Sequence, residues 1–232
     1  AHNVLEGDYG LGLMYHNGCD AKGITAGLGK DFELLNIGFK PFSSCRLGHR
    51  TLVAVRELVL ANDIKPEEVQ SVHIRGSKRV IEQLYDPAES TKNPDCRTAA
   101  VFSLPWVVSS MILRRKVGVA ELSEEALADR AVHALAQRVF AEVDESVDPA
   151  DHATPMPVVI KTLRGEFKGM TQSIALGDRG NRIPQDELIE KYYDNASFCV
   201  KALSSETKKI LLETIRHLED VADMREIVKL LS

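Results

Sequence analysis

The stretch MPVVIKTLRGEFKGMTQSIALG, residues 156–177, constrains the fold more than any other. Two β-rich runs flank RGEF, a composition that predicts a hairpin of antiparallel strands. The chain changes character after DRGNRIP. Apolar positions then recur at helical spacing over 185–194, 204–218 and 221–231. Ser204, followed by Glu206 and Thr207, reads as a helix start.

Upstream, the elements alternate. FELLNIGFKPF reads as a strand that Pro41 stops. Leu47, Val53, Val55, Leu58 and Val59 predict a helix ending near Asn62, and VQSVHIRGS alternates like a strand. YDPAESTKNPDCRT, with two prolines, reads as a surface loop. A helix is expected over about 99–115, interrupted or started at SLPW. Another, capped by Ser123, is expected to run through RAVHALAQRVF to about Glu142. VDESVDPADHATP reads as an acidic loop, and glycines weaken a first helix expected near Leu5 to Tyr15. Strands separated by helices, plus a hairpin, predict an α+β domain with one mixed or antiparallel sheet and flanking helices. A boundary is expected near 178–184. The last ~45 residues are too few to build a sizeable core alone.

Composition narrows the function. The 232 residues are 44% hydrophobic and 27% charged, with a net charge of −5. That balance argues against a nucleic-acid-binding surface, which needs a dominant basic stripe. No apolar run is long enough for a bilayer span, and the start AHNVLEGDYG has no signal-peptide pattern. Cysteines at 19, 45, 96 and 199 form no CxxC pair, so the expectation is reduced thiols in a cytoplasmic protein. The first residue is Ala1, which suggests a processed chain or a piece of a longer one.

The densest cluster of reactive residue types is IGFKPFSSCRLGHR, residues 37–50. Lys40 is a compact charge suited to a carboxylate, or else a solvated lysine. Cys45 has a thiol that a nearby cation would make more acidic, yet it also reads as a small buried hydrophobe, and lining a site suits it better than acting as a nucleophile. Arg46 could pair a carboxylate bidentately or stand in solvent. His49 either fixes the turn or lines a site, with proton transfer open to it. Tyr85 opens the loop YDPAES and either offers a phenol to a ligand or packs its ring. Arg97 reads as a helix-flanking charge. GDRGN at 177–181 lacks the context of a phosphate loop and reads as a turn.

LGKDFELLNIGFKPFSSCRLGHR resembles a signature of the MmgE/PrpD family, which includes 2-methylcitrate dehydratase and cis-aconitate decarboxylase. IKPEEVQSVHI, RTAAVFSLPW, VIKTLRGEFKG and ALGDRGNRIPQDELIEKYYDNA resemble further family segments in the same order. The resemblance implies a lyase of the propionate-metabolism type acting on small di- or tricarboxylates without a metal or other cofactor. It also implies a substrate-binding role for Lys40, Tyr85, Cys45, His49 and Arg46. An epimerase or isomerase of the same family, or a non-catalytic module, is the alternative. The implied layout is a helical-domain remnant at 1–22, an α+β domain at 23–183 and helices returning to a helical domain at 184–232. The main acid and base are expected in that helical domain, so the chain alone would be inactive. The partners implied are a small carboxylate and either a second copy or a helical domain, with no nucleic acid and no membrane.

Overall fold

The computed structural model describes residues 2–18, 20–148 and 153–231. The chain divides into two compact units, residues 1–37 and 38–232. In the first, α1 (Leu11–His16) and α2 (Ala21–Thr25) are short. The helix expected from Leu5 starts only at Leu11. Gly7 and Gly10 hold the chain in a turn so tight that a Cβ on Gly10 would lie 2.8 Å from Leu5 O. The Asp20 carboxylate caps α2 by accepting from Lys22 N at 3.1 Å.

The expected strand FELLNIGFKPF is absent. Glu33–Asn36 is a 3-10 turn, and no strand follows before Val69. Local bonds replace the ladder: Leu35 N donates to Phe32 O at 3.0 Å, and Asn36 Nδ2 to Glu33 Oε2 at 2.8 Å. A dense apolar run imitated a buried strand without a strand partner to pair with.

The second unit is α+β. Its four strands are β1 (Val69–Gly76), β2 (Val139–Val143), β3 (Pro157–Thr162) and β4 (Gly165–Met170). They form a mixed sheet in the order β2-β1-β3-β4. β1 runs parallel to β2 and antiparallel to β3, and β3–β4 is the hairpin expected from sequence. Val72, Ile74, Val139, Val158 and Ile160 point to the covered face. Val69 joins them despite its odd spacing, because the register shifts between Val69 and Ser71.

Helices cover that face. α3 (His49–Ala61), starting two residues after the expected Leu47, buries Leu52, Val55, Leu58 and Val59. Between it and the next core helix stand α4 (Lys78–Leu84), α5 (Ala88–Lys92) and α6 (Arg97–Val101). α7 (Leu104–Arg114) carries the fully buried Trp106, whose indole N–H donates to Glu121 O at 3.3 Å. α8 (Glu124–Leu127) and α9 (Arg130–Ala136) follow, and α9 packs on α7. The chain ends with α10 (Gln185–Ala196), α11 (Ser205–Arg216) and α12 (Arg225–Leu231).

Several boundaries differ from the sequence reading. The segment read as helix to Glu142 leaves helix at Ala136 and becomes β2. Val72 N donates to Arg138 O at 2.9 Å, and wholly buried Val139 begins a period-2 pattern that suits a strand. The loop over 85–98 contains α5 and the start of α6. The helix over 99–115 breaks at Ser103, whose Oγ accepts from Trp106 N at 3.0 Å and starts α7 afresh with a proline in its first turn. α12 begins at Arg225, not 221, where Asp223 Oδ1 accepts from Arg225 N at 2.9 Å. Residues 149–152 of the acidic loop, and Cys19, lie outside the described residues. Cys45, Cys96 and Cys199 are free thiols. Among the described residues, no helix is long and apolar enough to cross a membrane.

Candidate functional site

Residues 38–49 form an irregular turn rather than the end of a strand, and backbone bonds from other segments hold it. Phe39 N donates to Gly177 O at 2.8 Å, Ser43 N to Val117 O at 3.0 Å and Cys45 N to Val101 O at 3.0 Å. Three distant segments thus fix one short loop, as a site on an irregular segment requires. Gly177 is obligatory: its φ is +98°, and a Cβ there would collide with Phe39 O. Gly38 is bare for a different reason. A side chain there would strike Asp178, which pairs with Arg46 across it.

The centre of the turn is the Ser44 carbonyl. Lys40 Nζ donates to it at 3.2 Å, and His49 Nε2 lies 3.2 Å away. A carbonyl only accepts, so His49 Nε2 carries the proton. Lys40 itself is exposed, whereas His49 is 1% exposed and stands edge-on to Phe42 at 5.4 Å. Burial pulls the His49 pKa down to about 4, against the opposing bond to Ser44. The positive charges of Lys40, Arg46 and Lys191 lower it further. At neutral pH His49 is therefore an uncharged donor that fixes the turn. The Ser44 hydroxyl is buried and, among the described residues, has no hydrogen-bond partner.

The remaining sequence candidates fall around this centre. Cys45 is half-buried and packs against the core. Arg46 is exposed and committed to Asp178. Tyr85 is 9% exposed and follows α4, which packs on the 3-10 turn Arg46–Gly48. The ammonium of Lys92 stands 5.9 Å from the Tyr85 ring centroid, and Thr91 Oγ1 donates to Tyr85 O at 2.7 Å. Arg97 donates to Leu122 O at 3.2 Å, a structural bond that agrees with its reading as a flanking charge. GDRGN is a turn closed by Asp178 and Asn181.

The MmgE/PrpD C-terminal domain description matches residues 42–217, about three quarters of the chain. The chain belongs to the MmgE/PrpD family. No curated protein is a significant sequence match. Cys45, Arg46, His49 and Tyr85 lie inside the MmgE/PrpD match, and Lys40 precedes it by two residues. The sequence reading did not find Ser44, Asp178 or Lys92. Asp178 carried a visible signal as the acid of GDRGN. Ser44 acts through its backbone and Lys92 through a ring, and neither leaves a motif.

Proposed function

We propose that this MmgE/PrpD domain supplies the carboxylate-gripping wall of a metal-independent lyase of the 2-methylcitrate-dehydratase type. Its substrate is a small di- or tricarboxylate, and Lys40 is the residue that holds it. The supporting observation is the convergence of exposed Lys40 and buried His49 on the Ser44 carbonyl. That bond holds the ammonium at a fixed place on a braced turn while leaving it open to solvent. Eliminating water from such a substrate removes a proton from carbon beside a carboxylate. The charge that then builds on that carboxylate is stabilised by a fixed cation. His49, neutral at pH 7, orients the turn and is not the base in this reading. The proton-transferring groups are assigned to a companion helical domain, as the resemblance implies.

The test is Lys40→Met, which keeps the apolar stem and removes the charge. Carboxylate binding, and kcat/KM in the protein that carries both domains, should fall by roughly ten- to hundredfold, as for a lost charge-assisted bond of about 1.5–3 kcal/mol. The melting temperature should hold. Unchanged binding with a large drop in melting temperature would make Lys40 a structural residue.

A further inference from the structure

A cavity of about 290 Å³ opens between α3, the segment leaving α7, and α10. Five basic side chains line it: Arg56, Arg114, Arg115, Lys116 and Lys191. Only three carboxylates do, those of Glu187, Glu190 and Asp194. These eight charged groups share a partly enclosed space, where charge interactions are screened less than at the open surface.

Most of these cations already have partners. Arg56 pairs with Glu187 at 3.0 Å and Lys116 with Asp194 at 2.6 Å. Arg114 reaches Asp129 at 2.7 Å and Arg115 reaches Asp63 at 3.0 Å, two carboxylates that do not line the cavity. Lys191 is different. It is half-buried, yet among the described residues it makes neither a hydrogen bond nor an ion pair within 4 Å. Asp194, the acid whose charge acts on it, is engaged by Lys116, and Glu190, the remaining carboxylate of the lining, is exposed. Burial first, and Lys116 in the same direction, hold the Lys191 pKa below that of an ordinary lysine, while Asp194 opposes them. Two ammonium groups thus share one carboxylate, and a half-buried cation without a partner is costly. An anion in the cavity would remove that cost.

We infer that this cavity is an oxyanion site, bordered by Pro41 and Phe42 of the 38–49 turn but not lined by Lys40, in which Lys191 holds a small multiply charged anion between α10 and the sheet-bearing part of the unit. Its volume is at the small end for ligand sites, so the chemical class is a compact di- or tricarboxylate or inorganic phosphate rather than a nucleotide. The apolar wall is Phe42, whose ring has the Arg56 guanidinium 5.7 Å from its centroid and His49 at its edge. Occupancy would therefore clip α10 in place and press on the ring that backs the Lys40 turn. The inference does not depend on any role for Lys40.

The experiment is calorimetric titration of the 232-residue chain with inorganic phosphate and, separately, with tricarballylate, at matched low ionic strength. Four proteins are compared: wild type, Lys191→Met, Lys191→Arg and Lys168→Met. Saturable binding of at least one anion is expected in wild type. It should weaken at least roughly tenfold in Lys191→Met, as for loss of a charge-assisted contact. Lys191→Arg should rescue it, and Lys168→Met, which removes an exposed charge that does not line the cavity, should leave it within about twofold. The anion that binds more tightly identifies the class. Should Lys191→Met fold poorly by circular dichroism, Lys191→Gln takes its place. The inference is overturned if neither anion binds saturably, if the neutral Lys191 variant binds like wild type, or if Lys168→Met weakens binding as much as Lys191→Met does. The last outcome would mark an effect of net charge rather than of a site, and it would leave the Lys40 reading to its own test.

Discussion

Helices α7 and α12 are both built mainly from apolar residues, and the structure treats them in opposite ways. Nine residues of α7, from Leu104 to Ile112, are buried. None of α12 is. α7 is apolar on all sides because α3, α9 and β2 surround it, and two serines, Ser109 and Ser110, are buried with it although their hydroxyls find no partner. α12 alternates Ile227, Val228, Leu230 and Leu231 with charges, and α11 is similar, with Leu211 its one buried residue. An apolar stripe thus reports helicity, while burial depends on what the topology brings alongside.

The sharpest way to break that comparison is at Trp106. Trp106→Ala should cost about 3–5 kcal/mol in urea unfolding, since it empties a wholly buried site and frees the Glu121 carbonyl. A cost below about 1 kcal/mol would mean that α7 is not the centre of the core.

The next effect is at the start of α3, where His49 is buried uncharged. Its folded pKa, about 4, lies below the ordinary 6.5. Between those values the unfolded chain takes up a proton that the folded one refuses. Stability is therefore fully present above about pH 6.5 and is lost as pH falls toward 4, by about 3 kcal/mol in all. His49→Gln keeps a donor for the Ser44 carbonyl but does not titrate. Unfolding at pH 7 and pH 4.5 should show a shallower loss in the variant, and parallel pH profiles would refute the assignment.

A smaller effect is expected at Gly177→Ala, which forces a left-handed position and a clash with Phe39 O. The cost should be about 1–3 kcal/mol. Faster hydrogen exchange at the Phe39 amide would locate it, and an unchanged Phe39 amide would place the strain elsewhere. Smallest is Val228→Ala on α12, 62% exposed, which should change the stability of the dilute chain by less than about 0.5 kcal/mol. A loss as large as that at Trp106 would show that α12 is covered after all.

The elements legible in the sequence were those whose pattern is self-sufficient. The β3–β4 hairpin carries its own turn, β1 its alternation, and α3, α10 and α11 their apolar spacing. β2 was hidden because VFAEV follows directly on α9 and only its parallel partner, distant in sequence, reveals it as a strand. FELLNIGF misled for the converse reason, since its apolar density has no strand beside it. At the candidate site, Lys40, Arg46 and His49 stood out because they crowd one short segment. Their partners did not. Ser44 acts through a carbonyl, and Lys116 and Lys191, which line the neighbouring cavity, come from segments that no local motif connects.

Val72 of β1 faces Val139 on one side and Ile160 on the other, so both of its neighbours lie far along the chain. During synthesis from the N-terminus, β1 emerges well before either. Only the late hairpin can form by local contact. The rate at which this domain folds should therefore be set by the search of β1 for its two partners, and contacts this distant in sequence place it among slow-folding mixed topologies. Until that search ends, both edges of β1 remain open templates for pairing with another nascent chain.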